Sequence, residues 1–177
     1  SSDLKVNVQQ ALDALEAAIA EQEQFFTDLR NKGEEFMAGL NSGSQQAMVL
    51  FGRPYNAFSS WANKSIPAKF ATRGVEIIPC DMLPRSEKCG NELNMYWATG
   101  ELIMDAAKLV AEHPRLFGTY ITNFSCGPDS FLLGHFRKVM GRKPSLTLEL
   151  DSHTADAGIE TRIEAFLDIV DGFSRMK

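Results

Sequence analysis

Residues 121–131 read ITNFSCGPDSF, and the way this stretch divides decides the fold. Ile121 and Thr122, following Tyr120, have the β-branched and aromatic character of a strand. The run breaks at Cys126 and Gly127, and Pro128 suits the first position of a helix, where its missing N–H would have no intrahelical partner. Asp129 and Ser130 then fall in the first turn. The unit is a strand, a short turn and a helix. Cys126 sits beside the helix N-terminus, where unpaired N–H groups favour a thiolate over a thiol.

The same unit recurs on either side. AMVLFG, residues 47–52, is an unbroken apolar run that reads as a strand buried on both faces, and the loop GRPYN follows it. A helix is expected over 60–72, with Pro67 either kinking it or delaying its main part, and Gly74 stopping it. VEIIP (75–79) is a second strand, followed by the irregular CDMLPRSEKCG. A long helix is expected from about 91 to 112, with Tyr96, Leu102, Ile103, Ala106, Leu109 and Val110 along one side and Pro114 ending it. TYIT is the third strand and the helix from Pro128 ends at Gly141. LTLEL (146–150) is the fourth, and after DSHTADAG a last helix runs to about 170. Alternating strands and helices joined by short connections imply an α/β fold. The expectation is a Rossmann-like three-layer sandwich on a four-stranded parallel sheet.

A long helix precedes it. From about residue 3 to 40 there is no proline, and Val8, Leu12, Leu15, Ile19, Gln22, Phe26, Leu29, Gly33, Phe36 and Leu40 advance in alternating steps of four and three, eight of the ten apolar. Asp3 or Ser2 is the expected cap. NSGSQQ (41–46) reads as a loop, so the expected organisation is 1–45 helix and linker, then 46–177 as the α/β domain. A partner helix, a neighbouring domain or the body of the same domain can each cover the stripe. Because the chain starts at Ser1 without Met, we expect a piece of a longer protein.

Composition narrows the function classes. The chain has 177 residues, 44% hydrophobic, with 18 Lys and Arg against 23 Asp and Glu for a net charge of −5. No block of basic residues interleaved with aromatics stands out, which argues against nucleic acid. No apolar run approaches the roughly 20 residues that span a bilayer. Three cysteines are too few for a disulfide framework and suit a reducing compartment, so a cytoplasmic location is expected.

The unusual loops, GRPYN, PCDMLP, NFSCGPDS and DSHTAD, all follow strands directly. In a parallel sheet they share the carboxyl edge, where α/β folds bind ligands. Cys126 is either a reactive thiolate or a packing residue; Cys80, also directly after a strand, can approach it across the edge, while Cys89 lies one loop further on. Three thiolates are one short of the usual four for a cluster or structural zinc. His153 completes a Cys₃His set on one reading, and on another serves as base to a nucleophilic Cys126 with Asp151 or Asp156 behind it. Asp151, His153 and Asp156 equally suit turn and cap roles. Arg53 suits a phosphate or carboxylate, with Asn56 adding a hydrogen bond, or else an ion pair with Asp81 or Asp129. Arg53, Asn56, Asp129 and His153 are thus the candidate cofactor contacts, and Cys126 and Cys80 the candidate metal ligands. Neither GxGxxG nor GxxxxGK[ST] is present.

LFGRPYN, IIPCDMLP, NMYWATGELIMDAA, TNFSCGPDSF and LELDSHTADAGIETRIEAFLD together resemble the C-terminal, dehydratase-like region of the long activase-related proteins of 2-hydroxyacyl-CoA dehydratase and benzoyl-CoA reductase systems, the CoA-substrate-specific enzyme activases. The resemblance runs through nearly the whole chain from the N-terminal helix onward, and CGPDSF and HTADAG are its most specific runs. Those proteins look like a fusion of an ATP-dependent activator with regions similar to the dehydratase subunits that bind a [4Fe–4S] cluster. The activator's nucleotide-binding motifs are absent from this sequence. The resemblance implies that Cys126 and Cys80 match cluster ligands in the full-length protein, the rest coming from the region before this chain. It further implies electron transfer to a 2-hydroxyacyl-CoA dehydratase-type enzyme in anaerobic metabolism, with neighbouring domains and a dehydratase or redox protein as partners. The isolated chain is then expected to be inactive. The alternative is a non-catalytic scaffold or docking domain without a cluster of its own, and the heptad stripe allows a homodimer through the first helix.

Overall fold

The computed structural model describes residues 6–84, 95, 97–123 and 127–176. The elements are α1 (Val8–Ser42), β1 (Ala47–Phe51), α2 (Pro54–Ala57), α3 (Ile66–Ala71), β2 (Glu76–Pro79), a 3₁₀ turn at Cys80–Met82, α4 (Ala98–Glu112), β3 (Leu116–Asn123), α5 (Gly127–Met140), β4 (Ser145–Leu150) and α6 (Asp156–Arg175). All strand pairs are parallel, in the order β2-β1-β3-β4, with Ala47 opposite both Glu76 and Leu116, and Gly118 opposite Ser145. The expected α/β sandwich on a four-stranded parallel sheet is the observed architecture.

Side-chain alternation along β1 divides the core. Val49 and Phe51 pack with α4, α5 and the end of α1, whereas Met48 and Leu50 pack with α2, α3 and α6. All five residues of β1 are buried, which is why the strand is continuously apolar. The ring of Phe136 lies tilted against Phe51 at 5.0 Å between centres and edge to face with Tyr120 at 5.3 Å. Gly118 makes room for it, since a Cβ there would lie 2.9 Å from the Phe136 ring. Each such aromatic contributes about 1.5–3 kcal/mol by burial.

Because the chain leaves β1 toward one face and β3 toward the other, the carboxyl ends of these neighbouring strands diverge. This is the switch point of a doubly wound sheet, where a crevice opens.

The first helix differs from expectation at its start. It is capped by Asn7, whose side chain accepts from the Gln10 N–H at 2.8 Å while the Gln10 side chain accepts from the Asn7 N–H at 3.0 Å. That reciprocal box satisfies two orphan donors, which neither Ser2 nor Asp3 can do for a helix beginning at Val8. GRPYN contains the extra short helix α2, with Pro54 in its first turn. Pro67 lies in the first turn of α3, which begins at Ile66 after left-handed Lys64 and Ser65. Met95 and Trp97 are not helical, and α4 starts at Ala98, later than expected, with Met95 folded so tightly onto Gly100 that a Cβ there would meet its sulfur at 2.7 Å.

Lys143 is buried beneath the end of α4, its Nζ donating to the carbonyls of Val110 and His113 and lying 5.0 Å from the Phe117 ring centre. It satisfies carbonyls that the helix end leaves without partners. No helix among the described residues is long and apolar enough to cross a membrane.

Candidate functional site

The β1/β3 crevice is occupied by an ion pair. Asp129, in the first turn of α5, is fully buried; Arg53, immediately before α2, keeps 22% of its side chain exposed. Arg53 Nη2 donates to Asp129 Oδ2 at 3.1 Å and Nε lies 3.0 Å from Oδ1. Thr122 at the end of β3 donates to the same Oδ2 at 2.7 Å. Beside it, Asn123 Nδ2 donates to Asn56 Oδ1 at 3.1 Å. Gly52 carries the chain into this corner with φ of 142°, where a Cβ would fall 2.6 Å from the Ile121 carbonyl oxygen. Only glycine tolerates both the dihedral and the approach.

Three of the four residues expected as cofactor contacts, Arg53, Asn56 and Asp129, are thus brought together, and the ion-pair reading of Arg53 is the one realised, with Asp129 as the acid. His153 stands apart in the exposed turn after β4. There Asp151 Oδ1 accepts from the His153 N–H and the Thr154 hydroxyl, each at 2.8 Å. The Thr154 hydroxyl, and next the His153 N–H, hold the Asp151 carboxyl below its ordinary range. These bonds are those of a turn closed on itself, and no described contact joins His153 to Arg53, Asn56 or Asp129. Asp156 pairs with Lys69 at 3.7 Å, part of a set of ion pairs clipping α3 to α6.

Cys80 lies at the carboxyl end of β2, as the strand pattern required, but buried. Desolvation first and the Asp81 charge second push its thiol far above the ordinary range, although backbone hydrogen bonds at Cys80 and Gly52 act the other way. In the metal-free chain burial thus favours the neutral thiol. Cys126 and Cys89 fall outside the described residues. No group of three His, Cys, Asp or Glu side chains gathers as for a metal among the described residues. The described donors do not fit a [4Fe–4S] cluster by themselves.

The crevice continues outward into a hollow of about 410 Å³ lined by Arg53, Tyr55, Trp97, Thr99, Gly100 and Leu132. Arg53 lies 4.8 Å from the Tyr55 ring centre, and Trp97 meets Phe131 edge to face at 5.9 Å. Tyr55, Trp97 and Phe131 all remain exposed. Tyr55 was legible only as part of GRPYN, and nothing in the pattern around Trp97 distinguished an exposed rim residue from a core one.

A second feature lies at the opposite extreme of polarity. Residues 8–28 of α1 are all exposed, including Val8, Leu12, Leu15, Ile19, Phe25 and Phe26, with Val8 reaching 78%. The helix first approaches the body at Phe26 and Arg30, which share a hollow with Asp81, Leu83 and Leu102, and seats on it where Gly33 and Leu40 are buried and Phe36 and Met37 pack on the core. A Cβ on Gly33 would lie 1.7 Å from the Met82 carbonyl oxygen, so the residue that interrupts the apolar seam is the one that seats the helix.

No curated protein and no solved structure matches the chain. Residues 1–83, which take in α1, β1, α3, β2 and the Cys80–Met82 turn, match the family model described as the CoA enzyme activase uncharacterised domain, so this part of the chain is of a kind associated with CoA enzyme activases.

Proposed function

We propose that the chain is a dehydratase-like docking domain of a CoA enzyme activase, holding a neighbouring component of the activase and 2-hydroxyacyl-CoA dehydratase assembly without a cluster of its own. The observation that carries this is the outward half of α1, whose apolar residues Val8, Leu12, Leu15 and Ile19 are exposed in a stripe that continues through Phe26 to the core at Phe36 and Leu40. Leaving such a stripe in water forgoes burial worth roughly 1.5–3 kcal/mol for each large side chain. At the sheet edge Arg53 and Asp129 hold each other and Asp151 closes its own turn, while Asn56 Nδ2 and Asn123 Oδ1 are buried without a hydrogen-bond partner among the described residues. The test replaces Leu12, Leu15 and Ile19 with lysine in the chain together with its neighbouring domains. Assembly with the activase and dehydratase, followed by sedimentation, should be lost while the α/β body stays folded. Unchanged assembly overturns the reading.

A second reading makes Cys126 and Cys80 ligands of a [4Fe–4S] cluster in the full-length protein, passing electrons to a 2-hydroxyacyl-CoA dehydratase-type enzyme. The position of Cys80 at the carboxyl end of β2, beside Gly52, favours it; the burial of Cys80 away from the surface of the described residues opposes it. Anaerobic reconstitution with iron and sulfide decides. Iron uptake abolished by Cys126→Ser and Cys80→Ser replaces the docking reading's cluster-free clause, and uptake unaffected by either substitution removes the second reading.

A further inference from the structure

We infer that the exposed stripe of α1 is built for an amphipathic helix flanked by lysine and arginine, and not for a second copy of this chain. The inference rests on the docking reading and adds the chemistry of the partner. Over residues 8–28 the helix carries Asp13, Glu16, Glu21, Glu23 and Asp28 and no lysine, arginine or histidine. All five acids are exposed, and none enters an ion pair among the described residues. Gln9 donates to Asp13 at 2.7 Å and Gln24 to Asp28 at 2.9 Å, so two of the acids are held in place by neutral donors that leave their charge uncompensated.

Heptad geometry gives the charges an address. With Leu12, Ile19 and Phe26 at a and Val8, Leu15 and Gln22 at d, Glu16 and Glu23 occupy successive e positions beside the seam, while Ala11 and Ala18 occupy g. The e positions face the flank of a partner helix, where opposite charge sets partner choice. The alanine flank leaves the other side open to close approach. In a parallel pair of copies Glu16 and Glu23 of each helix would face the partner's alanine flank, with no opposite charge to gain, and the nearest cations, Arg30 and Lys32 at the next e and g positions, lie toward the body. At physiological salt, exposed charges still interact within about 8 Å, the spacing across a helix pair. A lysine- or arginine-bearing helix meets Glu16 and Glu23 with an attraction that a second copy does not supply.

The experiment uses the full chain and a synthetic three-heptad helix with leucine at a and d and lysine at e and g, beside a control bearing glutamate at e and g. The lysine helix should bind at least tenfold more tightly than the control, more weakly as salt is raised, and slow amide exchange over residues 8–28. Glu16→Lys with Glu23→Lys should reverse the preference between the two helices. These side chains are exposed, and a native exchange pattern in the α/β body certifies the variant's fold. Equal binding of both helices, salt-independent binding, or a free chain that sediments as a dimer protected over 8–28 overturns the inference while leaving stripe-dependent assembly, and so the docking reading, intact. Assembly indifferent to Leu12, Leu15 and Ile19 overturns the docking reading itself.

Discussion

Gly33 of α1 and Met82 of the turn after β2 are in backbone contact, with no space between them for a methyl group. Gly33→Ala therefore works in two opposed ways. It favours the helix by about 1 kcal/mol in propensity, and it pushes α1 off the turn that covers Cys80. We expect net destabilisation of about 1–3 kcal/mol, in the range of overpacked cores. With Cys89 and Cys126 replaced by serine, reaction of Cys80 with a disulfide reagent should accelerate, while helicity by circular dichroism does not fall.

The Arg53–Asp129 pair predicts an order of effects as well as a size. Asp129 is fully buried and Arg53 partly exposed. Arg53→Met strands a carboxylate without water, costing about 3–5 kcal/mol. Asp129→Asn keeps an acceptor for the Thr122 hydroxyl and leaves a cation that can reach solvent, so its cost should be smaller. Urea unfolding of the two variants tests the order, and the reverse order would show that Thr122 and not Arg53 is the main support of Asp129.

His113 and Asp81 give stability opposite slopes with pH. His113 Nδ1 accepts from the Arg115 N–H at 3.3 Å and Nε2 lies 3.0 Å from Asn41 Oδ1, an arrangement suited to the neutral ring. Burial, then Lys143 and Arg115, lower its value from 6.5. Its contribution is therefore present above the ordinary histidine range and lost as the pH falls through the lowered value. Burial raises Asp81 from 3.8, so its contribution is present below the ordinary carboxylate range and lost as the pH rises through the raised value. His113→Asn should flatten the fall in urea midpoint below about pH 6.5, and Asp81→Asn should raise stability at neutral pH.

Lys143→Met keeps the packing on Phe117 and removes the donor from the Val110 and His113 carbonyls. Two stranded acceptors at the end of α4 should cost about 2 kcal/mol, since an unmet buried group loses its full desolvation free energy. The loss should appear as faster amide exchange in the last turn of α4.

The architecture was readable because β1 carries a continuous apolar run and β3 a β-branched and aromatic one, and because Gly74, Pro114 and Gly141 punctuate the chain between elements. Boundaries were less readable where tertiary contact decides them. Trp97 precedes α4 because Met95 packs on Gly100, which no local signal announces. Asn7 takes the cap because Gln10 answers it, a reciprocal pair hidden among several polar residues. At the carboxyl edge, Arg53 and Asp129 were each visible, and their union follows from sheet order: β1 and β3 are adjacent only because the chain crosses over after β2. Cys80 was placed correctly along the chain, but its depth depends on α1, an element distant in sequence.

The seat of α1 also has a mechanical meaning. Val8 stands 25 residues from Gly33 along the same helix, a distance of roughly 38 Å at 1.5 Å per residue. The outer helix is thus a lever with its fulcrum on Met82, and a tilt of about 10° there sweeps the tip through roughly 7 Å. Whatever grips the tip pulls, at high mechanical advantage, on the Cys80–Met82 turn at the carboxyl edge of the sheet.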